Sequence, residues 1–211
     1  MICFILLLVV FCQFVLVIHG QYVFNDKAGL VTSVDAWVVD ETAATATYGV
    51  INTWNVSAVT DMSYLFDGKN TFNSDISAWD VNSVINMEYM FSQASVFNSD
   101  ISEWNVSGVT NMKKMFIYAF AFNQDIGGWN VGAVTNMEAV FYSASAFNID
   151  ISGWDVSSVS TMYKMFWSAS SFNQQLCWNL DDTYTSDMFT GTNGASTIVC
   201  APTSQPTSQP T

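Results

Sequence analysis

The chain has 211 residues, with five Lys and no Arg against 18 Asp+Glu, giving a formal charge of −13. That balance excludes a nucleic-acid binder, which needs a basic footprint. Half of the residues are apolar and 15% aromatic, which excludes a disordered acidic chain and implies a large core.

From Ile2 to Ile18 the sequence is uncharged and apolar except for Gln13, and His19 and Gly20 lead into polar sequence. Residues 1–20 read as a secretory signal with Gly20 at the cleavage point, or else as an uncleaved N-terminal anchor. Either outcome predicts a secreted or cell-surface protein whose contact with a membrane is limited to that anchor. If the segment is removed, the only histidine goes with it, and a chain without His or Arg has lost most general-base, metal and phosphate chemistry. No catalytic residue, metal site or cofactor is therefore expected. Cys3 and Cys12 also leave, so the mature chain keeps Cys177 and Cys200, which in an exported protein are expected to pair. Closing that loop would contribute roughly 3 kcal/mol by the chain-entropy estimate.

Residues 54–177 are dominated by internal repetition. Trp54, Trp79, Trp104, Trp129 and Trp154 lie 25 residues apart, and Trp178 follows after 24. Val56, Val59, Met62, Phe66 and Phe72 recur in the same step through all five copies. A unit of this size cannot bury a core alone and must stack on its neighbours, so the expected fold is a repeat solenoid of about five to six coils. Met87, Met90, Phe91 and Ala94 have the i, i+3, i+4, i+7 spacing of a short helix. The stretch from Phe97 to Ile101 suits a short strand pairing in parallel with its copies, about 4.8 Å away on each side.

Units such as WDVNSVINMEYMFSQASVFNSDISE (79–103) and WNVSGVTNMKKMFIYAFAFNQDIGG (104–128) closely resemble the repeats of BspA-like leucine-rich-repeat surface proteins. The resemblance runs strongly from Trp54 to Phe189 and more weakly over Leu30–Thr53, which looks like the segment that caps such arrays. It implies a leucine-rich-repeat-like solenoid mediating adhesion or protein binding without catalysis, and it implies no particular ligand. Trp, Met and Phe stand here where Leu and Ile are commoner in that family.

These readings divide the chain into a signal (1–20), an N-terminal capping segment (21–53), five repeats (54–177), a degenerate last coil closed by the disulfide (178–200) and a Pro/Thr/Ser/Gln tail (201–211). The tail holds all three prolines and is expected to be extended, as a linker or an O-glycosylated stalk.

In-register stacking turns each repeated position into a physical row. A Trp row could be core or an exposed platform for sugar rings, and the latter is the carbohydrate-binding alternative to a protein-binding scaffold. Asn73, Asn98, Asn123, Asn148 and Asn173 suit a structural amide ladder. Asp75, Asp100, Asp125 and Asp150 either bond to backbone N–H groups or bind cations. A glycosidase working with carboxylates alone is a remote second alternative, because its acid and base need unlike environments and identical repeats supply identical ones. Asn55-Val-Ser57 and Asn105-Val-Ser107 are candidate N-glycosylation sites. Positions that vary between copies are not needed for stacking, and Ile117, Tyr118, Phe120, Tyr142 and Trp167 are therefore the candidate partner surface. The partner is an extracellular protein or glycan, with no role for nucleic acid.

Overall fold

The structure is a computed structural model, and it describes residues 22–178, 180, 187–194 and 196–197. The expected signal, Cys200 and the tail lie outside the described residues.

The N-terminal segment folds into helix α1 (Lys27–Val39), helix α2 (Glu41–Tyr48) and a 3₁₀ turn (Ile51–Thr53). Asp26 sits in extended conformation and its carboxylate accepts the Gly29 N–H at 2.9 Å, the bond that starts a helix. Leu30, Val34 and Trp37, spaced i, i+4, i+7, form the buried stripe of α1. Asp40 then serves twice, ending α1 through its N–H to the Ala36 carbonyl and starting α2 by accepting the Ala43 N–H at 3.0 Å. Gly49, at φ 78°, closes α2 in a conformation that glycine adopts most readily.

From Trp54 onward the chain is built of turns. The helix expected over Met87–Ala94 and the strand expected over Phe97–Ile101 do not form. The apolar spacing was right about burial, since Met87, Met90, Phe91 and Ala94 are fully buried, but the backbone is not helical. Tyr89 and Gln93 take φ of 55° and 57°, as do their equivalents Lys114, Tyr118, Ala139, Ser143, Lys164 and Ser168 within a few degrees. A left-handed residue at every fourth position breaks a right-handed helix.

What replaces it is an alternation of bonds. Met62, Tyr64, Phe66 and Gly68 donate their N–H groups to the Asn86, Glu88, Met90 and Ser92 carbonyls of the next copy at 2.8–2.9 Å. Leu65, Asp67 and Lys69, between them, donate back three residues to Met62, Tyr64 and Phe66. Asp61, Asn86, Asn111, Asn136 and Thr161 form consecutive parallel bridges. The remaining strand pair among the described residues is β1 (Gln175–Leu176) with β2 (Ser196–Thr197), also parallel.

The interior is a set of side-chain rows. Phe66, Phe91, Phe116, Phe141, Phe166 and Phe189 stack with ring centroids 5.1 to 5.7 Å apart. A second row, Phe72 to Phe172, runs beside it, each ring lying within 4.2 Å of its neighbour in the same copy. Offset stacking of this kind adds about 0.5–1.5 kcal/mol per pair to the burial itself.

The Trp row is core. None of Trp54, Trp79, Trp104, Trp129, Trp154 and Trp178 is more than 5% exposed, and the indole N–H groups of Trp79, Trp104, Trp129 and Trp154 reach the carbonyls of Ile51, Ile76, Ile101 and Ile126 in the preceding copy at 2.8–3.2 Å. A sugar platform of stacked Trp is thereby overturned: the rings are enclosed by Val and Phe, and their polar edge serves the backbone.

Candidate functional site

Most polar residues that repeat are occupied by the backbone. Asp75, Asp100, Asp125 and Asp150 each accept the N–H two residues on, from Ser77, Ser102, Gly127 and Ser152, at 2.9–3.1 Å. The same Asx turn recurs at Asn55, Asp80, Asn105, Asn130 and Asp155, and again at Asp61, Asn86, Asn111 and Asn136. Three Asx turns thus bend each of the first four copies, and the fifth keeps one, at Asp155. The Ser102 and Ser152 N–H groups, helped by their hydroxyls, hold the Asp100 and Asp150 carboxyls below the ordinary carboxylate value. The Asn row is likewise structural: the Asn73, Asn98, Asn123 and Asn148 amide oxygens accept the N–H of the next Asn at 2.7–3.0 Å. Among the described residues, no group of three or more His, Cys, Asp or Glu is placed to hold a metal ion.

The lysines are also engaged. Lys27 and Lys69 pair with Asp61 and Asp35, and Lys113 and Lys114 both face Glu138, at 3.0 and 3.6 Å. Lys164 lies over the Trp167 ring at 4.3 Å and the Tyr163 ring at 5.1 Å.

The residues that vary between copies come together on one side. Tyr118 meets Phe120 at 6.2 Å and Tyr142 at 5.5 Å, both edge to face, and Tyr142 stacks on Trp167 at 6.3 Å. Tyr118 and Phe120 are 39% and 47% exposed, while Tyr142 and Trp167 are half-buried. Ile117 does not belong to this surface. It is buried, as is Ser92 one copy earlier. Their row runs along the margin of the core, where Ser92 and Ile117 are covered and Asp67, Tyr142 and Trp167 are half-buried. Beside Tyr118 and Phe120 lies an open depression of about 410 Å³, lined also by Asn70, Gln93 and Ser95. Asn70, Gln93 and Lys164 are absent from the sequence-based set. The signal that could have found them is their place in the same or adjoining variable columns.

The two sequons differ. Asn55 is half-buried, its amide oxygen taking both the N–H and the hydroxyl of Ser57, and its backbone pairs with Tyr22 and Phe24. Asn105 is exposed, its amide oxygen held by the Ser107 N–H and its amide nitrogen by Asn82. Cys177 is disulfide-bonded, and Cys200, its expected partner, lies outside the described residues.

No curated protein and no solved structure matches the chain. One family model does, over residues 37–144 and again over 107–199, which together take in the last three residues of α1, α2 and all the repeats. The chain belongs to the family described as Mycoplasma protein of unknown function, DUF285.

Proposed function

We propose that the protein is a secreted or cell-surface repeat solenoid, leucine-rich-repeat-like and akin to the BspA-like surface proteins, that acts as a non-catalytic adhesion and protein-binding scaffold. The observation that carries the reading is the contrast between rows. Repeated polar groups are spent on Asx turns, amide ladders and indole–carbonyl bonds. The variable positions Tyr118, Phe120, Tyr142 and Trp167 instead form a connected aromatic run at the surface, the composition that dominates binding hot spots. Export rests on the apolar segment at Ile2–Ile18, and the repeat motif supports both the solenoid and its surface role.

Chemical cross-linking of the full chain to native extracellular material tests the proposal. Tyr142→Ser combined with Trp167→Ser is expected to lower capture of a bound macromolecule tenfold or more. Capture unchanged by the pair would overturn it.

A further inference from the structure

The stack has one abrupt step on its surface. Gly68, Gln93, Tyr118, Ser143 and Ser168 occupy one column, and Asn70, Ser95, Phe120, Ser145 and Ser170 another two residues on. Only the third copy places rings in both. Tyr118 and Phe120 therefore rise beside the smaller Asn70, Gln93 and Ser95, and the depression of about 410 Å³ is the space so left. That volume is in the range of small-molecule sites.

Its chemistry is neutral. No charged side chain lines it, and the nearest lysines in sequence are committed elsewhere, Lys69 to Asp35 and Lys114 to Tyr89 and Glu138. The side-chain amides of Asn70 and Gln93 have no hydrogen-bond partner among the described residues, so each offers two donors and an acceptor. The Ser95 hydroxyl donates to the Asn70 carbonyl at 3.1 Å and keeps its acceptor lone pairs. Free amides beside a half-exposed phenyl ring are complementary to a molecule with one apolar face and a rim of hydroxyls.

We infer that this step is a subsite for a neutral saccharide ring. The apolar face of the sugar lies on Phe120 and Tyr118, and its hydroxyls bond to Asn70, Gln93 and Ser95. The inference rests on the binding-scaffold reading and names the ligand class for one end of the aromatic run. An acidic sugar is excluded by the −13 charge of the chain and the lack of an available cation at the step.

Saturation-transfer NMR titrations of the full chain with methyl β-glucoside, cellotriose, chitobiose and N-acetylneuraminic acid provide the test, with the peptide APTSQPTSQPT as a competing occupant. At least one neutral saccharide is expected to bind saturably with Kd in the range of about 0.1–10 mM, as an open site allows, while the acidic sugar does not bind. Phe120→Ser and Gln93→Ala, both at exposed positions, should each weaken it about tenfold, and Val39→Ser, at the exposed end of α1, should leave it unchanged. Failure of every neutral saccharide to bind, binding that survives Phe120→Ser, or binding of the peptide or the acidic sugar alone would each overturn the inference. Loss of macromolecular capture in the Tyr142→Ser, Trp167→Ser pair without saccharide binding would leave the scaffold reading standing and remove only this one; saccharide binding with capture unaffected by that pair would do the reverse.

Discussion

The two ends of the repeat stack meet the same problem in unlike ways. At the N-terminal end Phe24, Trp37 and Tyr48 pack on Trp54 with ring centroids 5.1 to 6.0 Å away, and its indole N–H reaches the Gly49 carbonyl. Two ion pairs, Lys27 with Asp61 and Lys69 with Asp35, then tie α1 to the first copy. At the other end Trp178 is buried and, among the described residues, its indole N–H has no partner and Phe189, only half-buried, is the last ring of its row. The Trp178 spacing of 24 instead of 25 coincides with the loss of the indole–carbonyl bond made by the four preceding indoles. The added helical layer satisfies the indole of the first Trp, whereas the worn copy of the repeat leaves the indole of the last one without a bond among the described residues.

The largest test of that contrast is truncation. Trp37→Ala is expected to cost about 3–5 kcal/mol, and Phe189→Ala only about 1–2 kcal/mol because its ring is part exposed; urea unfolding of the two variants measures the difference, and equal costs would mean that the ends are equally well packed. A smaller effect separates the indoles. Trp129→Phe removes one of the two bonds to the Ile101 carbonyl, which still accepts the Trp104 N–H, and should cost about 0.5–1.5 kcal/mol beyond the lost ring area, whereas Trp178→Phe removes an N–H with no partner among the described residues and should cost less than Trp129→Phe by that same margin.

Acid provides the smallest test. Burial opposes ionisation of Asp61, but the Ser63 N–H and hydroxyl and the Lys27 ammonium outweigh it and hold the carboxyl below its ordinary 3.8. A folded value below the unfolded one means that Asp61 stabilises the N-terminal end above pH of about 3.8 and that this contribution is lost as pH falls through the lower folded value. Amide protection in α1, taken relative to the intrinsic exchange rate at each pH, should therefore fall below that pH, and Asp61→Asn should remove the step. Protection that does not change with acid in the native chain would argue that the ion pair is idle.

The burial pattern of the repeats could be read from the sequence because it depends on side-chain spacing alone. Met87, Met90, Phe91 and Ala94 point inward whether the backbone is a helix or a chain of turns, so their spacing could not distinguish the two. The difference lies at Tyr89 and Gln93, whose left-handed φ is imposed by bonding to the next copy. Local propensity carries no sign of it. Helix α1 is the opposite case: Asp26 and the Leu30, Val34, Trp37 stripe were visible signals, obscured by the β-branched residues Val31, Thr32, Val34, Val38 and Val39 that favour strands. The Asp row stayed open between backbone bonding and cation binding, because spacing alone does not show that each carboxylate turns back to the N–H two residues on. Ile117 was misplaced because a column shared with Tyr142 and Trp167 does not reveal how far a shorter side chain extends.

The bonding between copies has a consequence for how the gene can change. Met62, Tyr64 and Phe66 donate to Asn86, Glu88 and Met90, and Tyr89 and Phe91 repeat the same gesture toward Lys113 and Met115. Excising or duplicating one whole period therefore rejoins surfaces that already fit, with no new contact to be invented. Unequal recombination could lengthen or shorten the array and change the distance between the aromatic run and either terminus, while any indel that is not a whole period would misalign every row beyond it.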